Sequence, residues 1–212
     1  MKFSEMPYQR PDAEAAKKKK SRRAYLEDIR PAANGNYVYT GQCYIYDEEI
    51  NTRGFVLLRL WLLILPALAA CVASGLFTMP FMTPFITDTW YTIAPYGIEF
   101  VAVCSAVWAI CRITGNGNIL REYVRRQTFG ALPLRCWIAA GFAAAGIVGA
   151  SVYMLLHGTA YTSEYIEVVG EVGDQTFRCV AYLCLKAVTA VFCAFTARFA
   201  ASVAWKETAE KV

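Results

Sequence analysis

The run FVLLRLWLLILPALAACVASGLF, from Phe55 to Phe77, decides the fold class. It holds 23 residues and a single charge, Arg59. As a helix it rises about 34 Å, enough to cross the ~30 Å hydrocarbon core of a bilayer. Arg59 lies just over one turn from the polar end of the run, where its long side chain reaches outward to headgroups. Pro66 falls near the middle and predicts a kink.

Three further runs of the same kind follow, at about 91–111, 134–156 and 177–204. The hydrophobic fraction of the whole chain is 57%, above the ~45–50% of soluble domains. The excess sits in the four runs. The predicted fold is therefore an all-α integral membrane protein with a four-transmembrane-helix bundle over residues 55–204. A cytoplasmic region 1–54 precedes it, and a short cytoplasmic tail, 205–212, follows it.

Loop charges give the orientation. The region before Phe55 carries Lys17, Lys18, Lys19, Lys20, Arg22, Arg23, Arg30 and Arg53. The link Thr78–Tyr91 has no Lys or Arg, and neither does the acidic loop His157–Thr176. The middle loop brings Arg112, Arg121, Arg125, Arg126 and Arg135, and the end of the chain Arg198, Lys206 and Lys211. Basic loops stay on the cytoplasmic side during insertion. Both termini are expected in the cytoplasm, in a multi-pass protein of the cytoplasmic or plasma membrane. The residues before Phe55 lack the short apolar core of a cleavable signal, so the first span is expected to direct insertion.

Beside apolar spans, the block Lys17–Arg23 reads as attraction to anionic lipid headgroups, not to nucleic acid. Arg125 and Arg126 belong to the same set. In the middle loop, Ile119, Leu120, Tyr123 and Val124 share one side of a short helix with arginines on the other, predicting an amphipathic helix along the membrane surface. Residues Ser21–Ile29 predict a short helix in the arm. Residues Tyr37–Tyr46 alternate aromatic and β-branched side chains around Gly41, predicting a small hairpin.

Within the spans, Gly141, Ala145 and Gly149 recur every four residues, and Ala190, Ala194, Ala197 and Ala201 form a second small-residue stripe. Both are expected to be packing seams inside the bundle. The eight cysteines show no C-x-x-C spacing, which removes thiol-redox and zinc chemistry of that type. His157 is the one histidine. No cofactor, metal or catalytic constellation is expected.

Two ionisable residues stand apart, because charge at bilayer depth is expensive. Arg59, Arg178 and Arg198 lie near helix ends and can snorkel. Glu99 and Lys186 cannot. Counted from the outer ends of their runs, they lie about 12 Å and about 13–14 Å deep at 1.5 Å per residue. Opposite charges at one depth should meet. Tyr96 and Tyr182 sit one turn outward from each, so a polar cluster of Tyr96, Glu99, Tyr182 and Lys186 is expected, with Ala69, Ala70 and Gly149 leaving room beside it.

The expected function is that of a non-enzymatic subunit or accessory factor of the membrane. Its partners would be the bilayer, anionic headgroups, and another membrane protein or further copies of the chain. The competing reading is an oligomeric small transporter or channel built on Glu99 and Lys186.

Overall fold

The apolar runs fold as four long helices in a computed structural model, which describes residues 29–31, 37–39, 41–76, 90–157 and 172–208. The elements are β1 (Ile29–Pro31), β2 (Tyr37–Tyr39), β3 (Cys43–Tyr46), α1 (Arg53–Leu76), α2 (Trp90–Gly115), β4 (Ile119–Arg121), α3 (Glu122–Gln127), α4 (Leu132–His157), α5 (Val172–Ser202) and β5 (Trp205–Thr208). The basic block Lys17–Lys20 with Arg22 and Arg23, the arm helix expected to begin at Ser21 and most of the acidic loop lie outside the described residues.

Helices α1, α2, α4 and α5 are each long and apolar enough to cross a membrane. Their outward faces are as apolar as their inward ones. Leu62, Val101, Trp108 and Val148 are each more than 60% exposed. A water-soluble bundle hides such residues; a helix apolar all round belongs in a core or a bilayer.

The four helices alternate in direction and form a closed ring, with α2 and α5 each packed on α1 and α4. Across the ring, α2 faces α5 along a diagonal. On α4 the series of buried positions runs through Leu132, Cys136, Ala139, Ala143, Gly146, Ala150 and Tyr153, with Ala140 buried beside it. On α5 it runs through buried Tyr182, Lys186, Thr189, Cys193, Thr196 and Ala200 and continues to Val203 just past the helix end, with Ala197 buried beside it. Both series step by four and three in turn, the seven-residue repeat of helices packed side by side.

That repeat corrects both small-residue stripes. Gly141 and Ala145 are exposed and Gly149 is half-buried; Ala201 is exposed, Ala190 and Ala194 are half-buried and Ala197 is buried. The α4 stripe keeps a strict four-residue spacing, which drifts about 40° around a helix per step and runs off a straight seam. The α5 stripe steps four, three, four but lies one position past the series Thr189, Cys193, Thr196 and Ala200. The seam of α4 uses the neighbouring small residues Ala139, Ala143, Gly146 and Ala150, and from the stripe Gly149 makes a close approach to the Tyr91 backbone of α2.

The sheets differ from expectation. Tyr37–Tyr46 is not one hairpin. Strand β2 pairs antiparallel with β1, and Tyr39 stands opposite Ile29. Strand β3 lies at the centre of a separate sheet of order β4-β3-β5, antiparallel to both neighbours. The middle loop is corrected as well. Ile119–Arg121 is strand, and only Glu122–Gln127 is helical. Leu120 and Val124 are buried in the main core. The apolar side that looked free for lipid is used by the protein itself.

The sheet closes one end of the bundle. Tyr46, Phe129 and Trp205 stack there, with Tyr46 and Phe129 each 4.7 Å from the Trp205 ring between centroids. Arg53 gives hydrogen bonds to the Thr114 and Asn116 carbonyls, at 3.1 and 2.5 Å. A guanidinium suits the negative end of α2 and satisfies its last carbonyls. With that cap, α2 continues past Arg112.

Candidate functional site

The core changes character along its length. Toward the sheet end it is mainly apolar, with Leu60, Ile64, Val103, Ile110, Ile113 and Leu132 all fully buried and the hydroxyls of buried Thr128 and Thr196 returned to backbone carbonyls. Toward the far end it admits polar groups: Ser74, Thr92, Glu99, Lys186 and Thr189 are buried without exposure. Thr189 returns its hydroxyl to the Leu185 carbonyl at 3.1 Å, and Ser74 to the Cys71 carbonyl at 2.8 Å. These two hydroxyls are satisfied within their own helices and are not free for a ligand.

Glu99 and Lys186 meet at the centre. Lys186 Nζ lies 2.5 Å from Glu99 Oε2, and neither side chain touches solvent. Glu99 is on α2 and Lys186 on α5, so the bond spans the diagonal of the ring. Two long side chains reach where the backbones do not. Small neighbours make this fit. On α4, a methyl group at Gly146 would lie 3.6 Å from Lys186 Cε and 3.5 Å from the Tyr182 hydroxyl. On α1, Gly75 makes room for the Tyr96 hydroxyl.

The two tyrosines complete the surroundings of the ammonium group. Lys186 Nζ lies 4.4 Å from the Tyr96 ring centroid and 5.3 Å from that of Tyr182. Both are within the ~6 Å over which a ring face attracts a cation. The structure thus brings all four of these residues into one cluster. Cys71, on α1, adds a thiol directed at the Glu99 carboxyl. Sequence reasoning missed Cys71 and Gly146, and named Ala69, Ala70 and Gly149 at this level instead. A backbone rise fixes depth but not which side of an apolar helix faces inward.

Two atoms of the cluster, Glu99 Oε1 and the Tyr182 hydroxyl, have no hydrogen-bond partner among the described residues. One is an acceptor and the other can donate. Buried groups of this kind cost free energy while unpaired.

The candidate headgroup contacts divide. Arg125 stacks over the Tyr44 ring at 4.0 Å. Arg126 pairs with Glu122 at 2.6 Å while its side chain stays 75% exposed. Arg125 is engaged within the protein, and Arg126 remains accessible at the rim. Among the described residues, no group of three or more His, Cys, Asp or Glu side chains is placed to hold a metal ion.

Compared with protein-family models, curated proteins and solved structures, the chain finds no match in any of the three.

Proposed function

We propose that this chain is a multi-pass protein of the cytoplasmic or plasma membrane, with both termini in the cytoplasm, acting as a non-enzymatic subunit or accessory factor. Its spans form a rigid core, and its sheet end presents the working surface. The observation that carries this reading is the direct, fully buried contact of Glu99 with Lys186. A pair closed on itself, with apolar packing on one side and tyrosine rings around it, supports a role in joining helices. A transport site needs a wet path to its carboxylate.

The orientation rests on charge. Arg53, Arg59, Arg112, Arg125, Arg135, Arg198 and Lys206 all belong to the sheet end of the helices or the segments beyond it. That distribution suits the cytoplasmic side. The surface there carries the exposed Arg126 and the edges of the sheet, and it fits a cytoplasmic partner or the inner leaflet.

The test is purification of the full chain in mild detergent, beside a variant with Lys17–Lys20, Arg22 and Arg23 changed to Gln. The accessory reading expects the parent chain to run with a larger complex and the variant to be released from it. A parent chain that purifies alone and catalyses solute or proton flux in vesicles contradicts it.

One observation favours the second reading, an oligomeric transporter or channel. Glu99 Oε1 and the Tyr182 hydroxyl keep unused hydrogen-bonding capacity beside a charge pair. A carboxylate in such a place can change protonation with occupancy. Glu99→Gln then abolishes flux while leaving the fold intact.

A further inference from the structure

A groove of about 510 Å³ runs between α1 and α5 at the sheet end. Arg59 and Arg198 both line it. They stand at nearly one level: six residues from the start of α1 and four from the end of α5, or about 9 Å and about 6 Å along the helices. Neither makes an ion pair or a hydrogen bond among the described residues. Lys186, deeper in the bundle, has a carboxylate. These two guanidinium groups have none among the described residues.

The surroundings have two characters. Leu63, Phe195 and Phe199 form an apolar wall, while Asn51 and Ser202 supply polar groups. Arg59 lies over the Phe199 ring at 4.7 Å, which holds its guanidinium against the groove instead of leaving it to swing in solvent. A phosphate matches this arrangement, because a guanidinium donates in a planar fork to two of its oxygens. An acyl chain matches the wall.

We propose that Arg59 and Arg198 bind the phosphate of one anionic phospholipid, whose acyl chain lies along Leu63 and Phe195. The charges are complementary: two cations without a counter-ion among the described residues face a leaflet that supplies anions. Phe195 is 56% exposed and becomes covered by the chain of the bound lipid. This site is separate from the Glu99 cluster. It rests on the reading of the bundle as membrane-spanning.

Native mass spectrometry of the full chain, released from nanodiscs, tests the site with three probes: phosphatidylglycerol, phosphatidylcholine of the same acyl chains, and inorganic phosphate. The expected result is a one-to-one phosphatidylglycerol adduct that phosphatidylcholine does not replace and phosphate does not compete away. Binding weakens about tenfold or more in Arg59→Gln/Arg198→Gln, and also in Arg59→Lys/Arg198→Lys, which keeps charge but loses the fork. Arg112→Gln/Arg135→Gln removes the same charge elsewhere and leaves the adduct unchanged. Equal retention of both lipids, parent-like binding by the lysine variant, or displacement by phosphate overturns the proposal. A chain that never enters the nanodisc overturns the membrane reading and this site with it; a chain that enters but binds lipid without selectivity overturns the site alone.

Discussion

A methyl group added at Gly149 would lie 2.9 Å from the Tyr91 carbonyl oxygen. That carbonyl is the one Pro95 cannot reach, since proline has no N–H to return to the residue four before it. Helix α4 therefore approaches α2 where α2 exposes a backbone acceptor, and only glycine permits the approach. Gly149→Ala is expected to destabilise the bundle by about 1–3 kcal/mol, the usual cost of overpacking. Gly141→Ala is expected to be neutral, because nothing lies within 4 Å of the added group. Unfolding of both variants in mixed micelles checks this; equal effects would return Gly141 to the seam. At this scale the sequence is legible by exception. Glu99 and Lys186 stand out because a charge in an apolar run has no bland neighbours to hide among. Cys71 and Gly146 do not, because every face of these helices is apolar and nothing local says which one turns inward.

The elements at the sheet end were the least legible. Tyr37–Tyr39 and Cys43–Tyr46 do have strand character, and both are strands. Local alternation favours pairing them with each other. The actual partners of β3 are the middle loop and the segment after α5, and those pairings exist only because the helix ends bring the segments together. The sheet also carries a pH dependence. Burial pushes the Tyr46 phenol up to about 12, with Arg53 opposing the rise. Lys206, bonded to Asp47 at 2.9 Å, is also raised. Both groups bind protons more tightly in the folded state. Their contributions are complete below the unfolded values, about 10 for Tyr and about 10.4 for Lys. They are lost as pH rises through the folded values. The sheet is thus expected to loosen between about pH 10 and about pH 12, followed by the fluorescence of Trp205 against its neighbours. Tyr46→Phe should blunt the loss. A Tyr46→Phe profile identical to the parent's would remove Tyr46 as its source. Trp205→Ala, which deletes the middle of the aromatic stack, should cost about 1–3 kcal/mol, since the ring is only partly buried. It should also speed amide exchange in β3 while sparing α1.

At the scale of the whole molecule, four long apolar runs were sufficient to give four helices, because run length and hydrocarbon thickness are both fixed quantities. The boundaries moved where polar groups at the helix ends allowed it, as Arg53 does for α2. The proposed orientation has a direct check. An alkaline phosphatase fusion after Val212 should be inactive, and one inserted in the His157–Thr176 loop should be active. The reverse pattern would invert the topology.

The central claim is that Glu99 and Lys186 tie α2 to α5 across the diagonal. The measurement that tests it most directly is a double-mutant cycle of unfolding free energy with Glu99→Gln, Lys186→Met and both together. Each single change leaves a buried charge without its partner and is expected to cost about 3–5 kcal/mol, while the double change costs far less than the two singles added. If Glu99→Gln is neutral or stabilising, or if the two costs simply add, the pair does not hold the bundle together, and the carboxylate is there for another purpose.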